Sequence, residues 1–234
     1  MINSKHGNSF NWSSFIVLNN QWGRQNANNN SYQYLTKSND NSITLSYKWN
    51  GNPNSIKSFP SICSGWHFGN PGGWLTDKKF NKLPSKLDLN KDYNVSISVL
   101  HENKGTFPEI MNLTWDIWLS DIIDPDIPSG EIMVWPWKIE QLPIGSLISN
   151  ITFWKYTWEV YLGYSSYEDK TWPVVSFVCQ TPTLIINGNL KDFFGYCINK
   201  KFFKPNYYIL GIELGNEILS GEGIFKYNYY NLDY

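Results

Sequence analysis

The stretch Gly130-Glu131-Ile132-Met133-Val134-Trp135, entered through the turn-rich segment Asp124-Pro125-Asp126-Ile127-Pro128-Ser129, decides how this chain is read. Successive side chains of a strand point to opposite faces, so Ile132 and Val134 share one face and Glu131, Met133 and Trp135 the other. The first face is pure core. The second carries a carboxylate, a thioether and an indole, where a plain solvated face would carry Lys, Thr or Ser. A strand that sets one acid among large apolar groups is a candidate floor for a site.

Working outward, the chain is a succession of such strands. Expected strands are 15–18, 42–49, 93–100, 111–119, 131–135, 149–154, 157–162, 172–179 and 207–214, each rich in β-branched or aromatic residues and bounded by Asn, Gly, Pro or Ser. Evenly spaced strands without helical periods between them predict an all-β sandwich or jelly roll. One helix is expected over 189–198, where Leu190, Phe193, Phe194 and Cys197 recur at helical spacing. The Asn-rich segment 26–41 reads as loop, and Leu219-Ser220-Gly221-Glu222-Gly223 as a turn. A chain of 234 residues without linker or repeat is expected to form one domain, with no separate binding module.

Composition narrows the partner. The net charge of −1 and a charged fraction of 17% leave no electrostatic footprint for nucleic acid or an anionic membrane. Aromatic residues also make up 17%, including 12 Trp and 15 Tyr, more rings than a core of this size needs, and such rings stack on the C–H faces of sugars. Cys63, Cys179 and Cys197 lack the spacing of a zinc site; Cys179 and Cys197 either pair or, like most thiols in such a chain, lie buried. The chain begins Met-Ile-Asn-Ser-Lys-His, without the apolar segment of a signal peptide, and no stretch reaches membrane-span length. The expectation is a soluble monomer, either cytoplasmic or secreted with its signal removed and Met1 in its place.

Three stretches offer acids for chemistry. Beside Glu131 there is Asp116, in the apolar run Trp115-Asp116-Ile117-Trp118, where an acid needs a specific partner. The third is Ile212-Glu213-Leu214-Gly215-Asn216-Glu217, in which Glu213 and Glu217 share a face. They lie about 13 Å apart along an extended strand, too far to form a hydrolytic pair with each other, so one of them is expected to face Glu131. Two carboxyl groups across a groove, one to attack an anomeric carbon and one to protonate the leaving oxygen, make a glycosidase.

These strings resemble glycoside hydrolase family 12, the small jelly-roll endoglucanases. Gly130 to Trp135 is similar to that family's nucleophile motif, and Ile212 to Glu217 to its acid/base strand, Ile-Gln-Ala-Gly-Thr-Glu. Asn19-Asn20-Gln21-Trp22-Gly23 resembles its Asn-x-Trp-Gly, Ser58-Phe59-Pro60 its Ser-Tyr-Pro, and Pro143-Ile144-Gly145 its Pro-Ile-Gly turn. Gly65-Trp66-His67-Phe68-Gly69 resembles the Gly-Trp-His-Trp-Gly of some members, and 176–178 and 190–194 match the late strand and the lone helix. All fall in the family's order along the chain.

The resemblance implies a jelly roll of two curved antiparallel sheets with one short helix and an open cleft on the concave face. It implies a retaining endo-β-1,4-glucanase acting on cellulose or soluble β-glucan, with a xyloglucan-specific enzyme as the alternative and a non-catalytic sugar-binding jelly roll or a xylanase as lesser ones. Glu131 is then the nucleophile, Glu217 the acid/base and Asp116 the nucleophile's hydrogen-bonding neighbour. Met133, Asn20, Trp22, Trp66, His67 and Trp135, with Trp12 and Trp158 as further platforms, become substrate-binding candidates; no metal or cofactor is implied. Three departures stand out. Glu213 replaces the family's Gln and is expected to raise the pKa of nearby Glu217; Pro136 is expected to end or turn the Glu131 strand; and 70–75 reads as a longer cleft loop presenting Trp74. Two glycosylation sequons begin at Asn94 and Asn112.

Overall fold

The structure, a computed structural model, describes residues 2–3, 5–69 and 82–234, so the expected loop over 70–75 and Trp74 lie outside the described residues. In chain order the strands are β1 (Ile2–Asn3), β2 (Ser9–Trp12), β3 (Phe15–Leu18), β4 (Tyr32–Lys37), β5 (Ile43–Trp49), β6 (Ser61–Gly65), β7 (Ser85–Lys86) and β8 (Asn94–Asn103). They continue as β9 (Ile110–Ser120), β10 (Gly130–Ile139), β11 (Ser146–Phe153), β12 (Tyr156–Tyr167), β13 (Lys170–Cys179) and β14 (Ile185–Asn189). After the helix α1 (Lys191–Asn199) come β15 (Tyr208–Gly215) and β16 (Ile218–Asp233). All nine expected strands and the helix are present, their ends shifted by a few residues.

The strands form two sheets of a jelly roll. The outer sheet runs β1-β4-β5-β16-β8-β14 and the inner one β2-β3-β6-β15-β9-β10-β13-β12-β11. One pair departs from the expected antiparallel pattern: β10 and β13 are parallel, with Glu131 opposite Val174 and Met133 opposite Ser176. The core lies between the sheets, where Ile132 and Val134 of β10 join Trp115 and Ile117 of β9, Phe177 of β13, and Leu45 and Phe225 from the outer sheet. Burying such side chains stabilises the fold by about 1.5–3 kcal/mol each. The helix adds Phe193, Phe194 and Cys197 to this core.

The other face of the inner sheet holds a second apolar cluster. It contains Trp66, Trp118, Met133, Trp135, Trp172, Val174, Val178 and Leu210. Burial on both faces explains why every residue of β9 from Met111 to Ser120 is buried, so hydrophobic alternation is lost in its sequence. Gly130 sets the start of β10: a Cβ there would lie 2.3 Å from the Phe203 ring, so only glycine lets the strand begin against that side chain.

Several expectations about local structure are corrected. The Asn-rich segment contains β4, disguised because its buried positions include Gln33, whose amide accepts from Trp49 Nε1 at 3.0 Å and donates to Asn19 Oδ1 at 2.7 Å. Residues 219–223 are not a turn: β16 starts against β9 and crosses into the outer sheet, bending at Gly221 with φ +141°. Pro136 does not end β10, which runs on to Ile139 through a bulge between Val134 and Trp137 that accommodates a residue unable to donate to the ladder. Cys63, Cys179 and Cys197 are buried free thiols, so Cys179 and Cys197 are unpaired.

Candidate active site

The site is built on rows that cross the inner sheet. In one row Met133 of β10, Asp116 of β9, Glu213 of β15 and Cys63 of β6 are cross-strand neighbours. In the next, Val174 of β13, Glu131 of β10, Trp118 of β9 and Gly211 of β15 align. The period of two thus puts Glu131, Met133, Asp116 and Glu213 on the same face, away from the core. Glu217 follows β15 at the rim of that face and is half-buried.

Glu131 is buried, and its Oε2 accepts the indole N–H of Trp172 at 3.0 Å. Its pKa is raised to about 7, foremost by burial. The Trp172 bond works against that rise, the charge of Glu217 adds to it, and a hydrogen bond from Asp116 opposes it. Asp116 is itself pushed well above the usual carboxylate range, first by burial and then by the charges of Glu131, Glu213 and Glu217. That rise favours its protonated form, which turns its proton toward Glu131. Its Oδ1 has no hydrogen-bond partner among the described residues, as suits a neutral carboxyl.

Glu217 is held differently. Asn112 Nδ2 and Gln141 Nε2 both donate to its Oε2, at 2.6 and 2.8 Å, while its own backbone N–H donates to Asn112 Oδ1 at 3.1 Å. Asn112 is fixed in turn, its carbonyl accepting from Asn216 Nδ2 at 2.9 Å. Gln141 reaches the rim because Glu140 adopts a left-handed conformation, φ +53°, that turns the chain after β10. Desolvation raises the Glu217 pKa against the two amide bonds that lower it. Near this end of the face lies a recess of about 440 Å³ lined in part by Lys138, Glu140, Glu159 and Gln180.

Glu213 is fully buried. Oε1 accepts from His67 Nδ1 at 2.7 Å and Trp118 Nε1 at 2.9 Å, and Oε2 accepts from Ser61 Oγ at 2.8 Å and Cys63 Sγ at 3.1 Å. Burial raises its pKa, but the His67 ring and the Cys63 and Ser61 donors together bring it below the ordinary value, which favours the anion. This corrects the expected role of its charge. It acts on Asp116 and Glu131, whereas the groups that shift Glu217 are burial, Asn112 and Gln141.

The remaining candidates divide sharply. Met133, Trp66 and Trp135 lie in the cleft-side cluster but are buried, forming the floor under the acids. Trp22 is 52% exposed beside the buried Asn20. His67 is buried, with both ring nitrogens engaged by protein. Trp12 and Trp158 are corrected from platforms to core: both are buried between the sheets, and their indoles donate to the backbone carbonyls of Asn41 and Phe153. Asn112, a sequon residue, is wholly buried against Glu217 and offers no site for a glycan, whereas Asn94 is exposed.

Trp172, Trp118, Asn112 and Gln141 are site residues that the sequence reading does not single out. Asn112 and Trp118 had a signal, since both fall on the face of Asp116 at even spacing along β9. Trp172 and Gln141 reach the site through strand pairing and a left-handed turn, which the sequence does not display. Among the described residues no group of three or more His, Cys, Asp or Glu side chains is arranged to hold a metal ion.

Two carboxyl groups with unlike hydrogen-bond environments on the open face of a jelly roll are an arrangement suited to glycoside hydrolysis. The sequence model of glycosyl hydrolase family 12 matches residues 13–233, and the chain belongs to that family. It is 27% identical over 215 residues to Endoglucanase S of Pectobacterium parmentieri, covering 89% of this chain and 77% of that one. It is 26% identical over 215 residues to the xyloglucan-specific endo-beta-1,4-glucanase A of Emericella nidulans, covering 89% and 80%. Among solved structures, the native family 12 xyloglucanase from Bacillus licheniformis superposes with a TM-score of 0.89 at 25% identity, covering 100% of this chain and 99% of that one.

Proposed function

We propose that this glycoside hydrolase is a retaining endo-β-1,4-glucanase with Glu131 as nucleophile and Glu217 as acid/base. The observation that carries this reading is the contrast between the two acids. Glu131 sits on the floor, where the hydrogen bonds of Trp172 and Asp116 favour its anion against the burial and the Glu217 charge that raise its pKa to about 7. Glu217 stands at the rim, oriented by two amides, with its pKa raised by desolvation so that it keeps a proton to deliver. The charge of Glu217 opposes ionisation of Glu131, so the two behave as a pair holding one proton between them.

In the first step the Glu131 carboxylate attacks the anomeric carbon. The glycosidic C–O bond breaks and Glu217 protonates the departing oxygen. In the second, Glu217 takes a proton from water, the water oxygen attacks the same carbon and the ester to Glu131 is released. Asp116 supplies its proton to the hydrogen bond with Glu131 throughout, and Trp22 stacks a sugar ring on the non-reducing side with Asn20 beside it. The match over residues 13–233 supports placing all of this in a single catalytic domain. Both acids come from one chain, which fits a monomer, and a polymeric substrate fits secretion.

Cellulose or soluble β-glucan is the first substrate reading. Xyloglucan is the second, favoured by the similarity to enzymes described as xyloglucan-specific or as xyloglucanases. Digestion of carboxymethylcellulose, mixed-linkage β-glucan, xyloglucan and xylan, with the new reducing end followed by NMR, tests both points. The β-anomer is expected first, and an α-product appearing first would overturn retention. Glu131→Ala and Glu217→Ala should each abolish nearly all hydrolysis while leaving the thermal transition in place.

A further inference from the structure

The hydrogen bonds of Glu213 lead out of the row of acids toward the edge of the cleft. Its Oε1 takes the Nδ1–H of His67 at 2.7 Å. The other ring nitrogen, Nε2, lies 3.2 Å from Asn20 Nδ2, and Asn20 Oδ1 takes the backbone N–H of Trp22 at 3.1 Å. The last bond fixes the sense of the whole chain. With the Asn20 oxygen facing Trp22, its nitrogen must face His67, so Nε2 accepts and the ring carries its proton on Nδ1, aimed at Glu213.

Burial along this path is graded. Glu213, His67 and Asn20 are 0%, 7% and 6% exposed, whereas Trp22 at the end is 52% exposed. The acid is anchored from behind by Ser61, Cys63 and Trp118, and Asn20 is anchored by its backbone, whose carbonyl accepts from Phe59 N at 3.0 Å. A single route of directed bonds therefore joins a rigid buried anion to the backbone of an exposed indole. His67 has no ring nitrogen left over for a sugar hydroxyl, so its contribution is to pass orientation on.

We propose that Glu213 is a positioning residue for the non-reducing side of the cleft: through His67 and Asn20 it fixes the backbone of Trp22 and presents that indole to the glucan in one place. This rests on the glucanase reading above. Glutamine in place of Glu213 keeps the relay, because its Oε1 still accepts from His67 and Trp118 while its amide donates to Ser61 and Cys63. Leucine fills a similar volume and severs it.

The test compares KM over aryl β-cello-oligosaccharides of increasing length for Glu213→Leu, Glu213→Gln, Trp22→Ala and the double variant carrying both Glu213→Leu and Trp22→Ala, each checked for folding by near-UV circular dichroism. Loss of one relay bond predicts that Glu213→Leu raises KM by about threefold to tenfold, at the same chain lengths at which Trp22→Ala does. Glu213→Gln should restore KM, and the double variant should be no worse than Trp22→Ala alone. A KM rise independent of length, or losses in the double variant that multiply, would overturn the proposal. Where Glu213→Leu fails to fold, His67→Phe severs the same path and is held to the same outcomes. Glu131→Ala serves as the marker of the parent reading: its inactivity with a length-independent Glu213→Leu effect sinks the relay alone, and its full activity sinks the glucanase assignment.

Discussion

Replacing Glu213 with Gln removes one negative charge from the acid network and leaves its shape, so its effect on pH dependence can be worked from the sheet. Glu213 and Asp116 are cross-strand neighbours, and Asp116 is opposite Met133, two residues along β10 from Glu131. Two strand spacings of about 4.8 Å, with an offset of two residues at about 3.4 Å each, put Glu213 and Glu131 about 12 Å apart. At an effective dielectric of about 20 to 40, a unit charge at about 12 Å is worth roughly 0.7–1.4 kcal/mol, or about 0.5–1 pH unit. The Glu213 charge raises the Glu131 pKa, so its removal lowers it. Asp116 also loses an opposing charge, but burial remains the foremost cause of its raised pKa and keeps it protonated. The nucleophile must be ionised to attack, so the acidic limb of kcat/KM, which titrates the free enzyme, should move down by about 0.5–1 unit. Glu217 stands about 13 Å along the chain from Glu213 but at the half-buried rim, where solvent screens the charge, so the basic limb should move less than the acidic one. The assay is kcat/KM on a soluble glucan across pH, in parallel for both proteins. A fixed acidic limb, or a downward shift of the basic limb instead, would refute the assignment of Glu213 to the nucleophile's side.

Three further substitutions separate the roles of neighbouring groups. Trp172→Phe deletes the indole donor to Glu131; the acidic limb should move to higher pH, and kcat/KM should fall by about tenfold to a hundredfold if a hydrogen bond to a charged acceptor is worth about 1.5–3 kcal/mol. Asn112→Ala removes a donor that lowers the Glu217 pKa, so the basic limb should rise while kcat drops, since the acid loses one of its two orienting amides. Trp158→Ala should cost about 3–5 kcal/mol in urea unfolding as a core cavity, whereas Trp22→Ala should change stability by no more than about 0.5 kcal/mol and raise KM instead.

Where alternation was clean, the sequence disclosed both the strand and the face: Glu131 and Met133 fall opposite Ile132 and Val134, as a period of two demands. The same rule placed Glu213 away from the core, opposite Ile212 and Leu214. It failed for Trp12 and Trp158, because an aromatic side chain suits a core as well as a platform, and only pairing decides which way the strand is turned. It failed for β4 because Gln33 occupies a core position with its amide satisfied by Asn19 and Trp49, a polar residue that breaks the apolar count without breaking the strand. The error at Glu213 has a deeper cause. A shared face made Glu217 look like the acid that Glu213 tunes, although the two are about 13 Å apart along the strand, whereas a residue directly across the ladder is within about 5.5 Å. Lateral neighbours govern electrostatics in a sheet, and they belong to strands far away in sequence. Asp116 and Cys63 flank Glu213 across β9 and β6, and His67 closes over it, so its charge enters the environment of Asp116 and Glu131 while Glu217 answers to Asn112 and Gln141. The departure from Gln to Glu at this position therefore changes which acid is tuned, and only the pairing of β15 with β9 reveals it.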